Sequence, residues 1–296
     1  MDIILSSISQ GLLWSVMAIG VYLTFRILDI ADLTAEGSFP LGAAICSVAI
    51  VSGISPWVAS LMALGGGMIA GVVSGILHTK LKIPALLTGI LTMTALYSIN
   101  LRILGKANVT LLGQETLMRT LQSYGLENRL AVLIVGGIAV ALVILVLYLF
   151  FSTEIGLAIR STGDNEAMSE ANGIHTDTMK ILGYMLSNGL ISFSGALIAQ
   201  NNGYADISMG IGTIVIGLAS VIIGEVIFHH LSFAKRLITI AIGSVVYRLI
   251  IDIVLQLKVE PQDIKLFSAI ILALALSAPL IKKKSKRVST KGAKIR

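Results

Sequence analysis

The feature that most constrains this chain is the recurrence of unbroken apolar runs about twenty residues long, the length an α-helix needs to cross a hydrocarbon core of about 30 Å. The clearest are Ile3–Phe25, Trp57–Leu77, Ile83–Leu104, Leu130–Phe151, Ile181–Asn201, Ile211–Leu231, Leu237–Leu257 and Ile264–Ile281. A further run, Phe39–Val51, is short for an ordinary span and is expected to be tilted or partly re-entrant. The chain therefore reads as all-α, a polytopic transmembrane helical bundle of about 8–10 spans. Composition agrees. Of 296 residues, 55% are hydrophobic and 13% charged, against about 25% charged in soluble domains, which sets a soluble enzyme aside.

The net charge of +6 would fit a nucleic-acid partner only if it lay on a soluble surface, so its placement decides. With the N-terminus outside and the C-terminus inside, the inner connections collect Arg26, Lys80, Lys82, Arg160, Lys180, Lys235 and Arg236, together with a basic tail at 282–296. The outer side keeps Arg102, Lys106, Arg119, Arg129, Lys258 and Lys265, and Arg248 falls within a span. The positive-inside rule selects this orientation. The expected surroundings are thus a lipid bilayer and no nucleic acid, with the tail lying on an anionic leaflet. Residues 1–281 form one transmembrane domain. The first run has an acid at Asp2 and neither a basic n-region nor a convincing cleavage site, so it reads as a retained helix.

The most informative connection is Arg26 to Gly42, which carries Asp29, Asp32 and Glu36 and then Gly37-Ser38-Phe39-Pro40. Gly and Pro interrupt helical hydrogen bonding, and irregular backbone at membrane depth persists only against protein or a water-filled cavity. The segment fits a discontinuous-helix site in which free amides meet anionic groups and carboxylates meet an ammonium; the competing reading is an ordinary turn with solvated acids. A second break at Pro84 opens a run in which Thr88, Thr92 and Asn100 share one helical face, pointing into the bundle or a pathway. Interhelical bonding and substrate contact both fit that face. Gly67, Gly71 and Gly75 recur every fourth residue, a stripe that lets another backbone approach closely, in this chain or in a second copy.

The inner connection Arg160–His175 reads as a short helix, capped by Asp164 or Asn165 and stopped by Gly173. Its acids, Asp164, Glu166 and Glu170 with Asp177 beyond, sit on an otherwise basic face, which fits docking to a cytosolic protein or a plain surface connector. A short surface helix is expected over Glu115–Leu121 on the outer side. Arg248 and Asp252, four apart within a span, are expected to pair. Glu225 ends its run near His229 and His230; His78 and His175 are isolated, and no His-Glu-x-x-His spacing occurs, so no metal site is expected. Cys46 reads as a small buried apolar residue. No catalytic constellation is recognisable, and no P-loop is present, so an ATP-driven process would need another polypeptide as its motor.

The stretch Phe25–Ala44, with Thr79–Pro84, Leu87–Met93 and Leu96–Arg102, resembles the membrane permease subunits of bacterial ABC importers. Within them it is similar to the branched-chain amino acid and ribose permease branch, and there to tryptophan and aromatic amino acid permeases. The Asp-Leu-Thr-x-x-Gly-Ser-Phe run and the loop Gly156–Ile174 carry the resemblance most specifically. It implies a multi-pass protein of the bacterial plasma membrane that imports a small solute of the aromatic amino acid class by alternating access. It implies as partners a second permease copy, cytosolic ABC ATPase subunits that bind ATP and Mg, and an extracytoplasmic substrate-binding lipoprotein; no cofactor is expected in this chain. The loop 162–175, with Asp164, Asn165, Glu166, Met168, Glu170, Asn172 and Gly173, would be the coupling helix. Asp32, Thr34, Gly37, Ser38 and Phe39 would lie along or beside the translocation path, with Thr88, Thr92 and Asn100 as candidates on the neighbouring run. The alternative is an ion-coupled secondary transporter using Asp29, Asp32 and Glu36 as ion ligands.

Overall fold

A computed structural model describes residues 2–228, 232–256 and 266–273. His229, His230, the basic tail and the remainder of the Ile264–Ile281 run lie outside the described residues. Among the described residues, seven helices are long and apolar enough to cross a membrane. They are α1 (Asp2–Tyr22) extended by a π-helical turn at Leu23–Ile27, α3 (Pro56–Thr79), α4 (Ala85–Leu104), α6 (Asn128–Phe151), α9 (Thr176–Asn202), α10 (Thr213–Ile227) with the 3-10 turn Ile207–Gly210 before it, and α11 (Phe233–Gln256). The shorter α2 (Ala35–Val51) is apolar and largely buried. At one end lies a small antiparallel ribbon of β1 (Asn108–Thr110) and β2 (Tyr204–Asp206) beside α5 (Leu117–Gln122). At the other end α7 (Glu154–Asp164) and α8 (Glu166–Ala171) join α6 to α9.

α9 is the central post, packed against α1, α2 and α3. It can sit there although its sequence is rich in serine and amide side chains, because the buried ones find partners on neighbouring elements. Ser187 Oγ donates to the Gly20 carbonyl (2.8 Å), Ser192 Oγ to the Ala63 carbonyl (2.6 Å) and Ser194 Oγ to the Leu13 carbonyl (2.9 Å). Gln200 Nε2 donates to Ser60 Oγ (2.8 Å), and its Oε1 accepts the Leu117 amide (3.0 Å). Such bonds satisfy groups that would otherwise be stranded in hydrocarbon. The stripe Gly67, Gly71 and Gly75 on α3 faces α9 of the same chain: a Cβ at Gly67 would overlap the Asn188 carbonyl oxygen, and one at Gly71 the Tyr184 carbonyl oxygen. Outward faces of α3 and α6 carry exposed apolar residues, including Leu61, Ile69, Ile138 and Leu145, as lipid contact requires.

Two expectations change. The Gly37-Ser38-Phe39-Pro40 stretch does not break a helix, because α2 already begins at Ala35 and runs through Pro40. Proline's fixed φ is helical, so its cost is one lost donor, to the Glu36 carbonyl. Gly210 approaches that same carbonyl, and a Cβ there would overlap it. The irregular backbone lies earlier, at Leu28–Thr34, where Asp29 adopts φ 54°, a left-handed conformation that Asp tolerates better than most residues. In the second change, the expected loop helix is divided: Thr162–Asp164 belong to α7, and α8 is capped by Asn165, whose Oδ1 accepts the Met168 amide at 2.9 Å. Asp164 is therefore a helix end rather than the cap, while Gly173 takes φ 80°, the expected left-handed stop. The short helix expected near Glu115 forms as α5, anchored by buried Leu117 and Met118 with Thr120 exposed. Arg248 Nε and Asp252 Oδ1 pair at 3.2 Å, and Cys46 is buried.

The α3–α9 contact predicts a position-specific cost. Gly71→Leu should lower stability by about 3 kcal/mol or more, because backbone rather than a flexible side chain would have to move. Gly65→Leu, at a site with nothing within 4 Å of a new Cβ, should be tolerated. Thermal unfolding of the detergent-solubilised variants, followed by size-exclusion chromatography, separates the two.

Candidate functional site

The connection after the first span and the start of α2 are held by a buried polar hub. Asp32, almost fully buried, closes a local turn by accepting the Thr34 amide on Oδ1 (2.9 Å) and accepts the Asn188 amide group on Oδ2 (2.7 Å). Asn188 also donates to the Tyr184 carbonyl (3.0 Å), and its Oδ1 accepts Ser38 Oγ (2.7 Å). One amide on α9 thus ties the loop, α2 and its own helix together. A second chain of hydroxyls runs alongside: Thr34 Oγ1 and Ser74 Oγ lie 2.9 Å apart, Ser74 donates to Thr92 Oγ1 (3.0 Å), and Thr92 donates to the Thr88 carbonyl (2.9 Å). Asn100 Nδ2 donates to the Gly37 carbonyl (3.1 Å).

These bonds position one wall of an open groove of about 660 Å³ between α2, α4 and the 3-10 turn. Glu36, Gly37 and Pro40 form one side, Met93, Thr94, Tyr97, Ser98 and Asn100 the other, with Ile207, Ser208 and Ile211 at the end. Glu36 Oε1 accepts the Gly212 amide at 3.0 Å, latching the turn to α2. Asn100 is buried, and its Oδ1 has no hydrogen-bond partner among the described residues. The groove therefore combines an aromatic and a thioether surface with a carboxylate and hydroxyls, with the unpartnered Asn100 Oδ1 sealed beneath its floor. It lies on the middle of a spanning helix, on a face that the described residues leave uncovered.

Of the residues expected along a path, Gly37 and Asn100 line this groove. Asp32, Thr34, Ser38, Thr88 and Thr92 lie behind it in the hub, and Phe39 is buried with its ring stacked on Trp14, centroids 5.3 Å apart. Asp29, Asp32 and Glu36 are not gathered into one ligand set. Asp29 is exposed, Asp32 is held by Thr34 and Asn188, and Glu36 holds Gly212; among the described residues no three His, Cys, Asp or Glu side chains could share a metal ion. Thr94, Tyr97, Ser98 and Asn188 were not singled out as site residues by sequence reasoning. The polar density that marks 88–100 also marks Ser187, Asn188, Ser192 and Ser194, and would have found the α9 contribution.

At the opposite end α8 stands clear of the spans. Glu166 and Glu170 turn back toward α9, Glu166 Oε1 accepting Lys180 Nζ and Glu170 Oε1 accepting Thr176 Oγ1 (2.8 Å). Asn172 Nδ2 donates to the Met168 carbonyl (2.7 Å). Met168 is left 65% exposed, a large apolar side chain at the tip of a polar helix.

The hub makes a stability prediction. Asn188→Ala leaves Asp32 and Ser38 buried with one partner fewer each and should cost about 3 kcal/mol. Ser194→Ala, which removes one neutral bond, should cost about 1 kcal/mol. Unfolding midpoints in one detergent rank the pair.

Comparison with known proteins agrees with this architecture. A family model for the permease component of branched-chain amino acid transport systems matches residues 3–277. The chain is 43% identical over 269 residues to a tyrosine transport system permease protein of Clostridioides difficile, covering 91% of this chain and 88% of the relative. It is 33% identical over 282 residues to an uncharacterized protein of Rickettsia prowazekii, covering 94% and 98%. A more distant relative, 25% identical over 210 residues and covering 71% and 58%, is the autoinducer 2 import system permease protein LsrC of Yersinia pseudotuberculosis. No solved structure matches the chain. With its helical bundle and its match over nearly the whole length, the chain belongs to the permease components of branched-chain amino acid transport systems, a family of ABC permeases, and is a multi-pass protein of the bacterial cell membrane.

Proposed function

We propose that this permease carries an aromatic amino acid inward, and that two copies face one another across the Glu36–Tyr97 groove to form the pathway. One observation carries this reading. A carboxylate and the hydroxyls of Thr94, Tyr97, Ser98 and Ser208 around a groove between membrane-crossing helices are too costly to present to lipid, so that face belongs against protein or water. Glu36 offers an acceptor to an α-ammonium, and Tyr97 with Met93 offers a surface to a planar side chain. The name of the tyrosine transport relative supports the same substrate class. Contacts in the groove are weak by design, since a deep midplane well would slow release; tight selection falls to an extracytoplasmic binding lipoprotein.

In this reading the α8 end is cytosolic. Arg26, Lys80, Lys82, Arg160, Lys180 and Arg236 cluster at that end, as the positive-inside rule requires. Partner ATPases bind ATP and Mg and grip α8 through Met168, and the push is passed to α9 through the Glu166–Lys180 and Glu170–Thr176 contacts. The Gly212–Glu36 latch sits where closure of the groove toward the opposite side would be set.

Met168→Asp should abolish uptake and substrate-stimulated ATP hydrolysis in proteoliposomes containing the partner subunits, while its unfolding midpoint stays close to that of the parent. Glu166→Arg with Glu170→Arg should also abolish transport with membrane insertion intact, but it additionally frees α8 from α9. Full coupling in Met168→Asp would remove α8 from the mechanism. Uptake by the chain alone under an ion gradient would remove the ATP-driven reading.

A further inference from the structure

α6 and α11 both pack on α1, and along the region between them lie two cavities of opposite character. The first, about 220 Å³, lies at the α8 end, lined by Tyr22 and Arg26 at the close of the first span, Arg160 and Asp164 of α7, and Phe233 and Arg236 in the first turn of α11. Its three guanidiniums come from three separate elements. Arg26 pairs with Glu225, Arg160 lies over the Phe233 ring with its guanidinium carbon 5.4 Å from the centroid, and Arg236 lines the same cavity as Tyr22. Counting Asp164 and Glu225 against them leaves positive charge in excess.

The second cavity, about 420 Å³, has an almost wholly aliphatic lining that includes Ile8 and Leu12 of α1, Ala141 and Ile144 of α6, and Ile238 and Ile242 of α11. The two are in line. α11 carries Arg236 at the first and Ile238 to Val245 along the second, so the aliphatic trough reaches about 14 Å deeper into the membrane at 1.5 Å per residue. Cations at a membrane boundary above an apolar trough match the two halves of a lipid. Guanidiniums bind phosphate oxygens in a bidentate fork, and basic pockets between spanning helices take phospholipid headgroups.

We propose that these cavities hold an anionic phospholipid, with its phosphate among Arg26, Arg160 and Arg236 and an acyl chain in the α1–α6–α11 trough. Asp164 selects a headgroup that donates hydrogen bonds, as the hydroxyls of phosphatidylglycerol do. Because Arg160 and Asp164 lie on α7, immediately before α8, the bound lipid also braces that connection to the first span. Binding does not depend on the transport reading above.

Native mass spectrometry of the purified full chain, given phosphatidylglycerol or phosphatidylcholine of matched acyl chains, tests this. The parent should retain phosphatidylglycerol about tenfold over phosphatidylcholine, and millimolar inorganic phosphate should not displace it. Arg160→Gln with Arg236→Gln should lower that retention about tenfold, and Ala141→Trp, which fills the trough but leaves the cations, should lower it several-fold. Arg160→Lys with Arg236→Lys should be intermediate, and guards against a glutamine variant that fails to fold. Equal retention of the two lipids by the parent, or undiminished retention by either the glutamine or the tryptophan variant, would overturn the proposal. Displacement by inorganic phosphate would make the first cavity a free-anion site and overturn the lipid assignment.

Discussion

The amide of Asn188 holds together the part of the molecule from which the rest is built. It is one side chain on the most enclosed helix, yet it donates to Asp32 and accepts from Ser38 while also bonding its own helix. In water such bonds would be replaceable. Inside a bundle crossing a membrane no solvent substitutes for a missing partner, so the loop after the first span and the start of α2 are obliged to meet α9 in one arrangement. That arrangement sets Gly37 against Asn100 and brings Glu36 to Gly212, and these contacts shape the groove.

The same economy explains the glycines. α3 and α9 approach closely enough for backbone to touch backbone, which removes the side-chain layer that normally separates helices and lets the serines of α9 reach carbonyls across the gap. Packing, rather than any difference in hydrophobicity between lipid and protein, holds spans together. The exposed aliphatic faces of α3 and α6 take no part in this. The exposed face of α4 differs from them in carrying the hydroxyls of Thr94 and Ser98 among its apolar and aromatic residues, and that contrast separates a wall facing lipid from one facing a pathway.

Much of this was legible in the sequence, and the misses have physical causes. The all-α polytopic bundle and the inward face of Thr88, Thr92 and Asn100 follow from run length and helical spacing, because membrane burial leaves few alternatives. The glycine stripe was equally plain, but its partner was not, since the spacing describes one surface and is silent about what covers it. Pro40 misled: a proline in the second turn removes only one hydrogen bond, and Gly210, remote in sequence, approaches the carbonyl it frees. The groove was half-seen. Its Tyr97 and Ser98 stood in the same polar stretch as Asn100, but which side of α4 remains uncovered depends on where α2 and α9 sit. Asn188 became important only because Asp32 is buried, and one of three acids between two spans reads equally well as solvated.

The account rests on the uncovered face of α4 being a water-accessible wall between copies rather than a lipid contact. Tyr97 and Ile69 are 55% and 69% exposed in the single chain, so exposure alone does not distinguish them, and the single natural cysteine, Cys46, is buried. In a Cys46→Ser background, Tyr97→Cys and Ile69→Cys can be compared in the membrane-embedded, assembled transporter for reaction with a charged, membrane-impermeant maleimide. The prediction is that Tyr97→Cys is labelled at least about tenfold faster and is protected by the transported amino acid, whereas Ile69→Cys stays unreactive. Equal and negligible labelling at both positions would place the α4 face against lipid and contradict the pathway.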